Sequence, residues 1–254
     1  MEGNSTSSSY AKAIEGYIST ENQELDNAIG GGIPIPSLIL IEGNNDSGKT
    51  ILAQQLLYGA LAQDHRVTAV TTENTTRSFL AQMKILNLNV EKPFIEGRLR
   101  IVSIHLRNTV WTGYRLSRLI ATLTDFIVRD RSRIFFIDSL THMFAEASVD
   151  DILTFLSRIR KLTEPDQKVA TAKSVVGTLH VNFRGEESER LLVRIRSLSD
   201  VHIKLTKDVA QGQVVRSIEV AKMKGSKLMA NRITRFEIHP AFGLRIVPTS
   251  EALA

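Results

Sequence analysis

The sequence contains no cysteine, which excludes disulfides and thiolate-bound metal and fits an intracellular setting. Aromatic residues make up only 6% of the 254 positions, too few to favour a protein that stacks single-stranded bases on aromatic platforms. Long apolar runs are missing as well. The longest uncharged one, residues 30–41 (GGGIPIPSLILI), is too short to span a bilayer and is broken by Pro34 and Pro36. The opening MEGNSTSSSY has no apolar stretch of the kind a secretory signal needs. A soluble, cytoplasmic protein is the expectation.

With 43% hydrophobic residues the chain can bury a sizeable core, and its length suits one α/β domain. Net charge is +5, unevenly spread: eight arginines between positions 97 and 133 stand against only Asp125 and Asp130. Such a stretch suits nucleic acid, anionic lipid or an acidic partner, or is simply a solvated helix face. The single tryptophan, Trp111, falls in an expected loop and reads as packing.

Hydrophobic periodicity organises the rest. Residues 1–19 are polar and serine-rich, an expected flexible tail, and residues 20–254 form the expected domain. A turn at Gly30-Gly31-Gly32 precedes SLILIEG, a short buried strand, and KTILAQQLLYGALAQ has apolar residues at helical spacing. Strands VTAVTTE, RLRIVSI, RIFFID and SVVGTLHVN follow. Between them lie helices over SFLAQMKILNL, YRLSRLIATLTDFIVRD and DDILTFLSRIRKL. The last third alternates instead: VHIKLTK, QVVRSIEVAKMK and ITRFEIHP read as antiparallel strands. The predicted fold is α/β, a mainly parallel twisted sheet with helices on both faces and C-terminal antiparallel strands.

Chemistry concentrates at Gly43-Asn44-Asn45-Asp46-Ser47-Gly48-Lys49-Thr50, which fits G-x-x-x-x-G-K-[ST] between a predicted strand and a predicted helix. The glycines let the backbone curl its N–H groups around phosphate oxygens. Lys49 reaches toward the β- and γ-phosphates, Thr50 offers a hydroxyl to Mg²⁺, and Ile51 continues the loop into the helix. About one random chain of this length in a hundred matches the pattern by chance, so the strand-to-helix context decides it. ATP with Mg²⁺ is the cofactor expected.

Asp138 ends the apolar strand IFFID, where a carboxylate ordering the Mg²⁺ water shell beside Thr50 belongs. Ser139 follows, so no second acid is adjacent. Glu73 ends the strand after the phosphate-loop helix and is the candidate base for an attacking water; the alternative is a strand-end surface glutamate. His180 is either a γ-phosphate sensor or a structural histidine. Lys222 and Lys224 alternate along a late strand and so point the same way, toward a neighbour's phosphates or toward solvent.

Taken together, GGGIP, the phosphate loop, VTTEN, RIFFIDS, TLHV and KMKGSK resemble the KaiC-like branch of the RecA superfamily, over about residues 21–248. Within that branch the pattern is most similar to the ATP-binding accessory proteins of the archaeal flagellum (archaellum) motor. The resemblance implies a RecA-like core forming a ring, expected to be a homo-hexamer, with ATP at subunit borders. It implies contacts with the secretion-type motor ATPase and with membrane-anchored motor components, hence a place at the inner face of the membrane through partners. It marks Lys49 and Thr50 as phosphate and Mg²⁺ groups, Asp138 as the Walker B acid and Glu73 as the catalytic glutamate. Lys222 and Lys224 match its intersubunit finger strand.

Two departures bear on activity. Clock-type relatives carry two adjacent acids where this chain has Thr72 and Glu73, and a Lys–Arg finger pair where it has only lysines. Lysine lacks the planar fork of arginine. Both changes weaken transition-state stabilisation more than binding, so the expectation is a switch that holds ATP with slow or absent hydrolysis. A DNA-dependent recombinase-like ATPase is the alternative, through VNFRGEESERLLVRIR, but Glu186, Glu187 and Glu189 interrupt its cations and no nucleic acid is expected. An autonomous clock-like kinase or ATPase is disfavoured by the single domain and the short TSEALA end.

Overall fold

The computed structural model describes residues 16–104, 113–164, 172–185, 187–210, 213–225, 233–240 and 242–247. In chain order the elements are β1 (Gly16–Ile18), α1 (Gln23–Ala28), β2 (Ile33–Ile35), β3 (Leu38–Gly43), α2 (Lys49–Ala62), β4 (Val67–Thr71), α3 (Thr76–Ile85), α4 (Glu91–Ile95), β5 (Leu99–Ser103) and α5 (Gly113–Arg129). They continue with β6 (Ile134–Asp138), α6 (Thr141–Glu146), α7 (Val149–Thr163), β7 (Ser174–His180), α8 (Glu187–Leu198), β8 (Val201–Ala210), β9 (Gln213–Met223), β10 (Ile233–His239) and β11 (Gly243–Ile246).

Among the described residues nine strands form one sheet in the order β11-β10-β9-β8-β3-β7-β6-β4-β5. From β5 to β8 every pairing is parallel, and from β8 to β11 every pairing is antiparallel. Helices cover both faces. Along β3, Ile39 and Ile41 turn to the layer built around α2, whereas Leu38 and Leu40 turn to the layer of α5, α6, α7 and α8. That period of two, with apolar residues on both sides, is what a buried parallel strand requires. The predicted fold class is the observed one. Because the strands run parallel, the C-terminal ends of β3, β4, β6 and β7 share one sheet edge. Ligand-binding loops gather at such an edge.

The expected tail over residues 1–19 is corrected at its end. Gly16–Ile18 pair antiparallel with Ile33–Ile35, since Ile18 and Ile33 bury their side chains completely against α2 and its neighbours. Residues 1–15 lie outside the described residues, as do Arg107, Trp111, Ser226 and Lys227. The strap after β1 crosses α2 at Gly59, where a Cβ would fall 1.8 Å from the Ser19 carbonyl oxygen. Alanine normally favours a helix over glycine by about 1 kcal/mol, but the clash here outweighs that gain, with overpacking costing about 1–3 kcal/mol. Gly59→Ala is therefore expected to lower Tm by roughly 3–10 °C in a thermal melt.

The arginine-rich stretch resolves into two kinds of residue. Arg98 pairs with Asp64 and Glu96, and Arg100 with Asp130. Arg115, Arg118, Arg129 and Arg131 are exposed on and just beyond α5. The run VNFRGEESERLLVRIR is mostly the ordered helix α8, whose Leu191, Leu192 and Ile195 are buried. Arg184 donates to the carbonyls of Phe144 and Ala147, tying the turn after β7 to α6.

Candidate functional site

The phosphate loop leaves β3 at Gly43 in a space that admits no side chain: a Cβ there would lie 2.3 Å from the Leu205 carbonyl oxygen and 2.6 Å from Ser47 Oγ. At the other end Gly48 adopts φ 99°, the left-handed conformation that glycine tolerates. Helix α2 starts at Lys49 with no side chain capping its first turn. Its positive end therefore opens on a cleft of about 1170 Å³, ample for a nucleoside triphosphate. Asn44, Asn45, Asp46, Ser47, Gly48, Lys49, Thr50 and Ile51 all line it.

Lys49 is 5% exposed. Its Nζ donates to the carbonyls of Asn44 (2.6 Å) and Gly43 (3.1 Å) and lies 3.5 Å from His180 Nδ1. Burial pulls its pKa down to about 8, against the attraction of Asp138, Glu73 and Asp46. The ammonium rests on neutral backbone oxygens that phosphate oxygens can replace with stronger, charge-assisted bonds. Burial, helped by the Lys49 charge, also lowers the pKa of His180.

Asp138 stands across the cleft at the end of β6. Its Oδ1 accepts from Thr178 Oγ1 at 2.6 Å and Thr50 Oγ1 at 3.2 Å. Burial raises its pKa, partly opposed by the Thr178 hydrogen bond. Among the described residues no group of three or more His, Asp or Glu side chains can hold a metal alone. Mg²⁺ keeps several waters and takes only one or two protein ligands beside phosphate. The Thr50 hydroxyl and the Asp138 carboxylate, 3.2 Å apart, are the pair that could hold it.

Glu73 lies two residues past β4 and faces the same cleft. Its Oε1 accepts from Ser139 Oγ at 3.1 Å and is 3.8 Å from His142 Nε2. Thr72, at the position of the missing second acid, exchanges hydrogen bonds with the Ser139 backbone, both at 3.0 Å. The structure thus brings Lys49, Thr50, Asp138, Glu73 and His180 together at one sheet edge.

Lys222 and Lys224 are not part of this cleft. Both lie near the opposite end of the sheet: Lys222 pairs with His202, in register with Leu40 rather than with Gly43. Lys222 Nζ donates to the carbonyls of Arg196, Ser197 and Ser199, and Lys224 Nζ to Asp200 Oδ1 at 2.9 Å. They point the same way, as alternation predicts, but toward the end of α8.

Other lining residues were not singled out from sequence. Lys207 and Arg216, paired across β8 and β9, clasp the loop at Asp46: Lys207 Nζ is 3.3 Å from Oδ2, and Arg216 Nε donates to the backbone oxygen at 3.1 Å. Only the register, which sets Gly43 beside Leu205, brings them there. Ser139 and His142 follow directly on IFFID, and that adjacency is the one signal available for them.

A parallel α/β core with a phosphate loop at its carboxyl edge and an acid on a neighbouring strand defines a RecA-type nucleotide-binding protein. A family model described as "ATPase: KaiC" matches residues 18–251. The archaeal flagellar ATP-binding protein FlaH of Sulfolobus acidocaldarius is 32% identical over 233 residues, covering 92% of this chain and 97% of that protein. FlaH of Methanocaldococcus jannaschii is 28% identical over 242 residues, with 92% and 97% covered. A crystal structure described as flagellar accessory protein FlaH from the same organism superposes with a TM-score of 0.74 at 26% identity, covering 92% of this chain and 99% of that one. The chain belongs to the KaiC-like ATPases and, within them, to the FlaH family. Among the described residues no helix is long and apolar enough to cross a membrane.

Proposed function

We propose that this chain is an ATP-binding regulatory and assembly subunit of the archaellum motor, holding Mg·ATP as a switch and hydrolysing it slowly or not at all. The observation that carries the reading is the phosphate loop itself, with a buried ammonium resting on two backbone carbonyls and the Thr50–Asp138 pair opposite. Lys49 exchanges those carbonyls for phosphate oxygens, and Thr50 and Asp138 hold Mg²⁺ and its water. The metal neutralises phosphate charge when bound.

Slow turnover follows from the surroundings of Glu73. It is the lone acid beside the cleft at that position, and one of its oxygens is already occupied by the Ser139 hydroxyl. That oxygen can receive a proton from an attacking water only by giving up the Ser139 hydrogen bond. In the assembled state, a homo-hexameric ring, Lys222 and Lys224 reach the phosphates of the neighbouring subunit. ATP stabilises the ring because those contacts exist only there. The ring docks on the motor ATPase and on membrane-anchored motor components, which places a cytoplasmic protein at the inner face of the membrane.

Native mass spectrometry of the purified chain after incubation with Mg·ATP tests this. A closed ring that retains intact ATP is the expected result. ADP in the sites would identify an active hydrolase instead, and a monomer carrying ATP would mean that nucleotide does not drive assembly.

A further inference from the structure

Glu42 is fully buried, one residue before the glycine that opens the phosphate loop. An acid in such a place needs a partner. Arg196, in the last turn of α8, provides it in a two-pronged contact: Nε to Oε2 and Nη2 to Oε1, both 2.9 Å. His202 Nε2 lies 3.2 Å from the same Oε1. Burial pushes the Glu42 carboxyl up, and His202 and Arg196 more than reverse it, so the group is ionised.

The backbone of that same helical turn is held from another side. Lys222 Nζ donates to the carbonyls of Arg196 (3.2 Å), Ser197 (3.1 Å) and Ser199 (2.6 Å). Carbonyls at a helix C-terminus have no partner within the helix and carry its negative end, so an ammonium satisfies both needs at once. Beyond Glu42 the chain has no slack, because Gly43 is wedged between Leu205 O and Ser47 Oγ. The Gly43 carbonyl in turn accepts from Lys49 Nζ at 3.1 Å. Direct contacts therefore run unbroken from Lys222 through Arg196 and Glu42 to Lys49.

We propose that Lys222 sets the phosphate loop of its own chain through Arg196 and Glu42, so that its departure from α8 weakens the loop's hold on nucleotide. The inference rests on the reading of Lys222 as a residue that reaches a neighbour's phosphates, and it adds what that reach does at home. One ammonium cannot cap α8 and contact a neighbouring subunit together. Engagement with the next subunit is thereby felt at the chain's own site, where it offsets part of what the neighbour's lysines add to nucleotide binding, a coupling between sites in the thermodynamic sense. Arg196 and Glu42 are positioning residues, since neither lines the cleft.

The test is nucleotide affinity of the full chain, read with a fluorescent ATP analogue at concentrations where sedimentation shows a monomer. Lys222→Met and Arg196→Lys, which keeps the charge but loses the fork, are each expected to weaken binding about threefold to tenfold. The double variant is expected to weaken it no further than the stronger single one. Wild-type binding with Lys222→Met unchanged, or additive effects in the double variant, overturns the relay alone. No binding by the wild type overturns the nucleotide reading and the relay with it. Hydrogen exchange in the milder Lys222→Gln chain gives a second readout. Faster exchange at the end of α8 and across 43–50 together supports the relay, and faster exchange at α8 alone overturns it.

Discussion

Lys49→Ala is expected to lower affinity for Mg·ATP by about a hundredfold or more, measured by titration calorimetry. The side chain is buried, and its two present acceptors belong to the loop itself. Removing it leaves those carbonyls without their donor and the incoming phosphates without a cation. Charge-assisted hydrogen bonds contribute about 1.5–3 kcal/mol each, and a hundredfold corresponds to ~2.7 kcal/mol, so the loss of two suffices. The depressed pKa of about 8 adds a pH signature. Phosphate binds the ammonium form, so binding draws a proton onto Lys49 wherever the free chain has lost it. Affinity should be level just below pH 8, where Lys49 is charged and Asp138 still ionised, and fall as pH rises through 8, by up to about tenfold per unit. The alanine variant, with no ammonium to lose, should be flat across that range.

That the phosphate loop is legible in eight consecutive residues has a physical cause. Its function depends on local backbone geometry, which Gly43 and Gly48 dictate wherever they occur between a strand and a helix. Asp138 is legible for a similar reason, as the end of an apolar run whose neighbours bury every residue of Ile134–Ile137. The alternation of strand and helix carries the fold class because a parallel sheet needs covering on both faces.

What sequence conceals depends on register between distant segments. Lys207 and Arg216 reach Asp46 only because β8 lies beside β3 and β9 beside β8. Glu42 reads as part of a buried strand, and its partner Arg196 is 154 positions away. Lys222 and Lys224 show the limit most clearly. Alternation assigns their common direction correctly, yet nothing in the spacing says that α8 ends where they point. Likewise Gly16–Ile18 look like the end of a polar tail until Ile33–Ile35 arrive to pair with them.

These concealed contacts bear on the switch proposed for the site. A phosphate loop anchored only by its own glycines responds to nucleotide alone. Here the loop is clasped at Asp46 from β8 and β9 and braced at Glu42 from α8, so both the antiparallel extension and the helical layer bear on it. Lys224 adds a hold on the start of the same strand. Its partner Asp200 also accepts from the Leu38 backbone N–H at 3.1 Å. A nucleotide that shifts the loop must then work against contacts on two strands and a helix, which is the mechanical condition for passing its presence to a partner.

Asp138→Asn should separate the metal from the nucleotide. Asparagine has nearly the same shape, and its Oδ1 can keep accepting from Thr178 and Thr50, so little stability is at stake. What disappears is negative charge. Without Mg²⁺ that charge opposes the phosphates in a desolvated cleft, so the variant should bind metal-free ATP at least as tightly as the wild type. In the proposed Mg²⁺ site the carboxylate would order the metal's water, and its loss should cut the gain in affinity on adding Mg²⁺ by about tenfold or more. The two effects have opposite signs, which a misfolded loop cannot imitate, since it would weaken both. Burial raises the pKa of Asp138, and acidification should therefore reproduce the substitution in the wild type. As pH falls through that raised value the carboxylate is neutralised and the Mg²⁺ dependence fades, while in the asparagine variant it should not change with pH. Calorimetric titrations with and without Mg²⁺, over a pH series descending from 7, measure both arms. A wild type whose Mg²⁺ gain matches that of the variant at neutral pH would remove Asp138 from the metal site.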